Sequence, residues 1–220
     1  MELGVMVGAL VDGLGLSAWI FVVTLVGSLP LGIVVALCRM SSFKPLSLLA
    51  QFYISILRGT PLMLQLMAFM FGPYYLLGMN MGTDWKFGAC AVGFILNYSA
   101  YFAEIYRSGI QSIPKGQYEA ALVLGYSRSQ TFFKIVLPQV IKRILPAMGN
   151  EIITLVKDTS LARIIALQEI IWAGQAFMKG SHGISGAIWP LFFTAVYYLI
   201  FNGILTVLLG RLEKKLEYFR

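Results

Sequence analysis

The chain has 220 residues, of which 58% are hydrophobic and 12% charged, and its mean hydropathy is +0.77. Soluble domains carry about 25% charged residues, so this composition excludes a soluble globular protein. The net charge of +7 comes from Lys and Arg residues that flank apolar runs, which argues against a nucleic-acid partner. With about 20 apolar residues per span, the length predicts one transmembrane domain, residues 1–220, with about five transmembrane helices.

The apolar runs predict an all-α integral membrane protein. In chain order they cover about residues 14–38, 46–78, 86–106, 138–156 and 187–210. The second run is longer than one membrane thickness and contains Arg58 and Pro61, so we expect one long, kinked helix there. Residues 157–186 alternate charged and apolar residues, which predicts a helix that packs on or dips into the bundle.

The basic residues predict the orientation of these five spans. Most of them fall on one side of the membrane: Arg39, Lys44, Arg107, Lys115, Arg128, Lys134, Lys142, Arg143, Arg211, Lys214, Lys215 and Arg220. Because cytoplasmic loops carry an excess of Lys and Arg, that side is predicted to be cytoplasmic. The N-terminus is then outside, the C-terminus is cytoplasmic, and a polar loop at about residues 107–137 faces the cytoplasm.

This polar loop has the pattern of two helices joined by a hinge. Residues 117–124 favour a short helix, in which alanine side chains would allow a partner surface to approach closely. Gly125 follows the last turn and can adopt the left-handed conformation that ends a helix. Ser127 and Gln130 then match a capping box at the start of the next helix.

Ionisable residues at membrane depth are the second source of functional information. Glu151, Lys157 and Asp158 would each cost about 2.5 to 3.5 kcal/mol if they faced lipid, so they must face protein or water. Glu151 and Asp158 are seven residues apart, which puts them on one helix face, where they could line one cavity. Alternatively, Lys157 and one carboxylate form a structural pair. Among the aromatic residues that follow Asn97, Tyr101 is the cavity candidate, and the partner of Arg58 stays open.

One motif carries a family resemblance. It reads E-A-A, three residues, G, nine residues and I-x-L-P, and it is met by Glu119, Ala120, Ala121, Gly125, Ile135, Leu137 and Pro138. This segment resembles the EAA loop of ABC-importer membrane subunits. With the sequences at residues 58–61, 150–151 and 157–161, the chain from about residue 50 onward resembles the permease subunits of bacterial polar amino acid ABC importers, of the histidine/arginine/glutamine type.

The resemblance implies two sets of functional residues. In such permeases the positions that match Ser55, Asn97, Glu151 and Asp158 lie in a mid-membrane substrate cavity, and Tyr101 is added to this substrate-binding set as the aromatic candidate. Contact with an ATPase is expected from Glu119, Ala120, Ala121 and Gly125, which belong to the cytoplasmic coupling helix. The substrate would be a polar amino acid. Two carboxylates favour a cationic one, while a neutral substrate such as glutamine or cystine stays open.

The resemblance also implies the partners and the location. We expect a second permease subunit in a homo- or heterodimer, two cytoplasmic ABC ATPase subunits and an extracellular or periplasmic amino-acid-binding protein. The chain would be a multi-pass protein of the bacterial inner (plasma) membrane, in contact with membrane lipid and with its amino acid substrate.

We expect no enzymatic activity in the chain itself. Its sequence contains neither a GxxxxGK[ST] motif nor any Gly-Lys dipeptide, so ATP and Mg are expected on the partner ATPase subunits and no cofactor on this chain. His182 is the one histidine, and the two cysteines lie in separate apolar runs, so no metal site is expected. The alternative function is a secondary, proton-coupled transporter that uses the intramembrane carboxylates, although the sequence shows no pair of matching halves.

Overall fold

The computed structural model describes residues 2–82, 84–178 and 183–216, and this part of the chain is helical and contains no strand. His182, the histidine considered above, lies outside the described residues, as does the end of the basic tail at 217–220. The predicted all-α class is therefore confirmed for the described part of the chain.

The helices match the predicted apolar runs and mostly extend beyond them, although α3 ends at Leu77, within the second run. In chain order they are α1 (Glu2–Arg39), α2 (Lys44–Gly59), α3 (Leu62–Leu77), α4 (Trp85–Gln111), α5 (Lys115–Val123), α6 (Arg128–Gln130), α7 (Leu137–Asp158), α8 (Ile170–Met178) and α9 (Gly183–Leu216). A π-helical segment, Thr131–Val136, joins α6 to α7, and a 3-10 helix, Thr159–Ile165, follows α7.

The main core lies where α1 runs along α4. Phe94, Tyr98 and Phe102 are fully or almost fully buried on α4 and form the centre of this core. Gly32 of α1 lies against Phe102, since a Cβ atom added at Gly32 would come within 2.9 Å of the Phe102 Cβ. Small residues at such crossings let helix backbones approach closely in membrane bundles.

The second apolar run is broken into two helices, and the prediction of one kinked helix was wrong. The axes of α2 and α3 differ by 106° across Thr60 and Pro61, both of which have extended backbone angles. Pro61 has no backbone N–H to continue the helix. Carbonyl groups left without helical partners at the break accept hydrogen bonds from the Gln65 amide, which reaches Leu57 O at 2.9 Å and Thr60 O at 3.1 Å.

By length and apolar composition, two helices could cross a membrane on their own, over Val7–Arg39 and Ile188–Leu216, and the bent pair of α2 and α3 would be a third. The helices α4 and α7 carry more polar and charged residues, because they line the cavity described below. The number of five spans and their orientation therefore remain predictions.

The polar segment after α4 has the helix, hinge, helix arrangement. Gly125 follows α5 with φ = +79°, and the capping box between Ser127 and Gln130 is formed in both directions. α5 packs on the π-helical segment. This segment ends just before Pro138, which cannot donate the usual helical hydrogen bond and so favours a local change of helix type.

The segment between α7 and α9 contains a short helix that is anchored at its start. Glu169 is fully buried, and its carboxylate accepts hydrogen bonds from the backbone N–H groups of Ile171 and Trp172, both at 2.8 Å. These bonds satisfy N–H groups of the first turn of α8, which lack helical partners. α8 packs closely on α1, because a Cβ atom at Gly13 would lie 2.8 Å from the Ile170 Cα.

Candidate substrate cavity

The break between α2 and α3 forms one wall of a cavity of about 520 Å³, which we call the acidic cavity. The other walls come from α4, α7 and the 3-10 helix. It is lined by Arg58, Gly59, Thr60, Pro61, Leu62, Asn97, Tyr98, Tyr101, Glu151, Thr154, Asp158 and Leu161. Its volume is within the range of about 300 to 1,000 Å³ that is usual for small-molecule sites.

Two carboxylates face this cavity from α7. Glu151 and Asp158 are both partly buried, as expected for two residues seven positions apart on one helix face. Asp158 Oδ2 accepts a hydrogen bond of 2.7 Å from the hydroxyl group of Tyr98, which is 2% exposed. This bond fixes the position of one carboxylate, while Glu151 lies about two helical turns away on the same wall.

A single arginine stands opposite these acids. The guanidinium group of Arg58 lies 5.1 Å from the centre of the Tyr101 ring, and its Nη1 atom is 3.9 Å from Glu104 Oε2. Glu104 itself is held mainly by Arg107, through bonds of 2.6 and 3.0 Å. The structure thus supplies the partner of Arg58 that the sequence left open, and it shows that the pair is long and loose.

Asn97 lines the cavity but uses its side chain to hold the helix break together. Its amide nitrogen donates to Leu57 O at 2.9 Å and to Gln65 Oε1 at 3.0 Å, and the residue is 4% exposed. Asn97 therefore fixes the shape of the cavity wall, at the point where α2 ends.

Of the five residues predicted for substrate binding, the structure brings four into one cavity: Asn97, Tyr101, Glu151 and Asp158. Ser55 lies in a neighbouring pocket instead. Sequence reasoning missed Tyr98 and Thr154 and did not place Arg58 in the cavity. The position of Tyr98 next to Asn97 was visible, but its bond to Asp158 joins residues 60 positions apart and leaves no signal in the sequence.

The residues predicted for coupling lie on α5 and at its end. Glu119 and Ala120 are exposed, whereas Ala121 is 1% exposed and faces its own chain. Val123 and Leu124 are 88% and 73% exposed. A partner that docks on α5 would therefore contact an apolar end of the helix.

In the described part of the chain, no group of three or more His, Cys, Asp or Glu side chains is arranged to hold a metal ion. What the geometry offers is a polar chamber at a helix break, with two carboxylates facing one loosely held guanidinium. Ionisable residues placed this way within apolar helices mark transport pathways.

A helical bundle with such a chamber has the features expected of the transmembrane subunit of a transporter. The chain belongs to the family of binding-protein-dependent transport system inner membrane components, which it matches over residues 28–218. Within that family it is a permease subunit of an amino acid ABC transporter, and it is a multi-pass protein of the bacterial inner membrane.

Its relatives cover almost the whole chain. The arginine transport system permease protein ArtQ of Bacillus subtilis (strain 168) is 38% identical over 94% of this chain and 92% of its own length. The glutamine transport system permease protein GlnP of Escherichia coli (strain K12) is 35% identical over 94% of this chain and 93% of its own length.

Solved structures agree with this fold. The crystal structure of an amino acid ABC transporter with histidines contains a chain that superimposes with a TM-score of 0.84, at 31% identity, over 95% of this chain and 94% of that one. The methionine ABC transporter MetNI, in an inward-facing form, gives a TM-score of 0.68 at 17% identity over 96% and 95% of the two chains, which concerns the fold alone.

Proposed function

We propose that this chain and a second permease subunit form the translocation path of an ATP-driven importer for a polar, cationic amino acid. The observation that carries the proposal is the acidic cavity, in which Glu151 and Asp158 face one chamber together with Arg58. Two carboxylates offset the desolvation of an amino acid cation, and the guanidinium group complements its α-carboxylate.

The relatives support an amino acid substrate without deciding whether it is cationic or neutral. ArtQ is named for arginine and GlnP for glutamine. An amino acid with a cationic side chain carries two cationic groups, the side chain and the α-ammonium group, and can pair with both acids at once. A neutral amino acid brings only its α-ammonium group to them. The cavity holds two acids, and a neutral substrate would leave one of them without a cationic partner. We therefore favour arginine or a similar cation.

The proposed topology has five spans with the N-terminus outside and the C-terminus in the cytoplasm. They are α1, the broken pair of α2 and α3, α4, α7 and α9, and α5 then faces the cytoplasm. The excess of Lys and Arg at the ends of these helices supports this orientation.

Coupling to ATP is assigned to α5 and the hinge that follows it. Two cytoplasmic ATPase subunits, which hold ATP and Mg, would dock on the exposed face of Glu119 and Ala120 and on the apolar end of α5. Their closure would move α5 around Gly125, shift α7 through the π-helical segment, and change the access of the cavity. A binding protein outside would deliver the amino acid.

The test is reconstitution with the neighbouring gene products. The chain is produced with the second permease subunit, the ATPase and the binding protein encoded beside it, and the purified assembly is placed in proteoliposomes. The proposal predicts that an ATPase co-purifies and that radiolabelled arginine accumulates only with internal ATP. Uptake driven by a proton gradient without ATP would support the secondary transporter instead.

A further inference from the structure

A second polar pocket lies directly beside the acidic cavity and shares one wall with it. Its volume is about 230 Å³, and we call it the basic pocket; its lining residues are Arg39, Gln51, Ile54, Ser55, Arg58, Glu104 and Arg107. Arg58 belongs to both linings. The pocket is built by the end of α1, one face of α2 and the last third of α4.

The charge of this pocket is opposite to that of the acidic cavity. Three arginines against one glutamate leave a formal excess of two positive charges. Glu104 is occupied by the fork of Arg107, with bonds of 2.6 and 3.0 Å, so it compensates little of the charge of Arg39 and Arg58. Arg39 donates to Ser47 Oγ at 3.0 Å, which leaves donors of its guanidinium group for another acceptor.

Arg58 lies between the two pockets and is held loosely. Its side chain is 42% exposed, its ion pair with Glu104 is as long as 3.9 Å, and it rests on the ring of Tyr101. A guanidinium held this loosely can bind a carboxylate from either side. Ser55 and Gln51 are exposed one and two helical turns before it, respectively, on the same face of α2, and they continue the polar surface.

We propose that the basic pocket is the exit station of the path, which receives the α-carboxylate of the amino acid after it leaves the acidic cavity. This inference rests on the proposed function and adds to it the orientation in which the amino acid moves. Its α-carboxylate moves first, past Arg58 toward Arg39, and its cationic end follows. A pocket of this charge selects an anionic group.

The first experiment measures the charge preference of the pocket without any transport. Ser55→Cys is introduced into the full chain after Cys38→Ala and Cys90→Ala, and permeabilised membranes are treated with a negatively charged sulfonate or a positively charged trimethylammonium thiosulfonate reagent. Each rate is corrected for the rate at which the same reagent reacts with a small free thiol. The anionic reagent should then react with the cysteine at position 55 about tenfold faster than the cationic reagent. Arg39→Gln should reduce this ratio to about threefold, Arg39→Lys should restore it, and Lys115→Gln, a matched charge removal on α5, should leave it unchanged.

The second experiment tests whether the basic pocket binds the α-carboxylate of the amino acid. Millimolar L-arginine or L-glutamine should protect Ser55→Cys from the anionic reagent, whereas agmatine, the arginine analogue that lacks the carboxylate, should not. Equal protection by agmatine, protection by neither amino acid, or equal rates of the two reagents would overturn the proposal. A preference that disappears when phosphatidylglycerol is added to the bilayer would assign the pocket to a lipid head group and overturn the exit role.

The two proposals fail in distinguishable ways. Normal ATP-driven uptake without carboxylate-dependent protection would count against the exit station alone. Carboxylate-dependent protection together with arginine uptake that needs no ATP would count against the ATP-driven mechanism and leave the pocket in place.

Discussion

The hydroxyl group of Tyr98 donates a 2.7 Å hydrogen bond to Asp158 Oδ2 and so ties the middle of α4 to the end of α7. Tyr98 is almost completely buried, and its ring lies between those of Phe94 and Phe102. Because this core fixes the ring, the position of the Asp158 carboxylate in the acidic cavity is set by the packing of α1 against α4.

Tyr98→Phe should destabilise the protein by about 1 to 2 kcal/mol, because it removes a buried hydrogen bond to an acid and keeps the ring in the core. The measurement is the midpoint of thermal unfolding in detergent, with exposed Tyr74→Phe as the matched control. A double-mutant cycle with Asp158→Asn should show coupling between the two sites. Additive effects of the two changes would show that the bond contributes nothing.

Gly125→Val should lower the amount of amino acid transported for each ATP hydrolysed while the protein still inserts into the membrane. An added Cβ atom would meet no neighbour within 4 Å, so the effect comes from the backbone angle of φ = +79° and costs about 1 to 3 kcal/mol. Gly116→Val on α5 is the control, since its surroundings are equally open and its φ is not positive. The same coupling ratio in both variants would contradict the hinge.

Gly13→Ala should separate α8 from α1, because the added methyl group would lie 2.8 Å from the Ile170 Cα, a backbone atom that cannot turn away. Overpacking of this kind costs about 1 to 3 kcal/mol. Gly15→Ala, where nothing lies within 4 Å, is the control and should keep or raise the unfolding temperature. Equal unfolding temperatures of the two variants would show that the contact can relax.

The orientation gives a labelling prediction. In a background of Cys38→Ala and Cys90→Ala, Ser129→Cys should react with an impermeant thiol reagent in inside-out vesicles, and Asp84→Cys should react in intact cells. Both residues are exposed in the structure. Reaction of Ser129→Cys in intact cells would reverse the topology.

Much of the fold could be predicted from local features of the sequence. The apolar runs gave the approximate positions of the long helices, and the left-handed Gly125 and the capping box of Ser127 follow from residue types within one or two helical turns. The spacing of Glu151 and Asp158 predicted two acids on one face for the same reason. These features depend on neighbours along the chain.

The remaining features depend on contacts between distant residues. Pro61 predicted a kink, but the bend of 106° between α2 and α3 is stabilised by Gln65 and Asn97, which donate hydrogen bonds to a carbonyl group of α2. Residues 157–186 were predicted to form one helix packed on the bundle, whereas the described part of this segment contains a 3-10 helix and α8, because Glu169 caps a new helix against α1. Ser55 and Arg58 share a face of α2, and only the tertiary structure shows that Arg58 lines both pockets whereas Ser55 lines the basic pocket alone.

The most direct test of the account is uptake of arginine by the reconstituted assembly carrying Glu151→Gln or Asp158→Asn, with Glu213→Gln on α9 as the control. Each cavity variant should weaken the apparent affinity by about ten- to hundredfold, since a lost contact to an ionised group costs about 1.5 to 3 kcal/mol. ATPase assembly should survive, and Glu213→Gln should keep the affinity. Unchanged affinity for arginine in both cavity variants would contradict the account by removing these carboxylates from the substrate site.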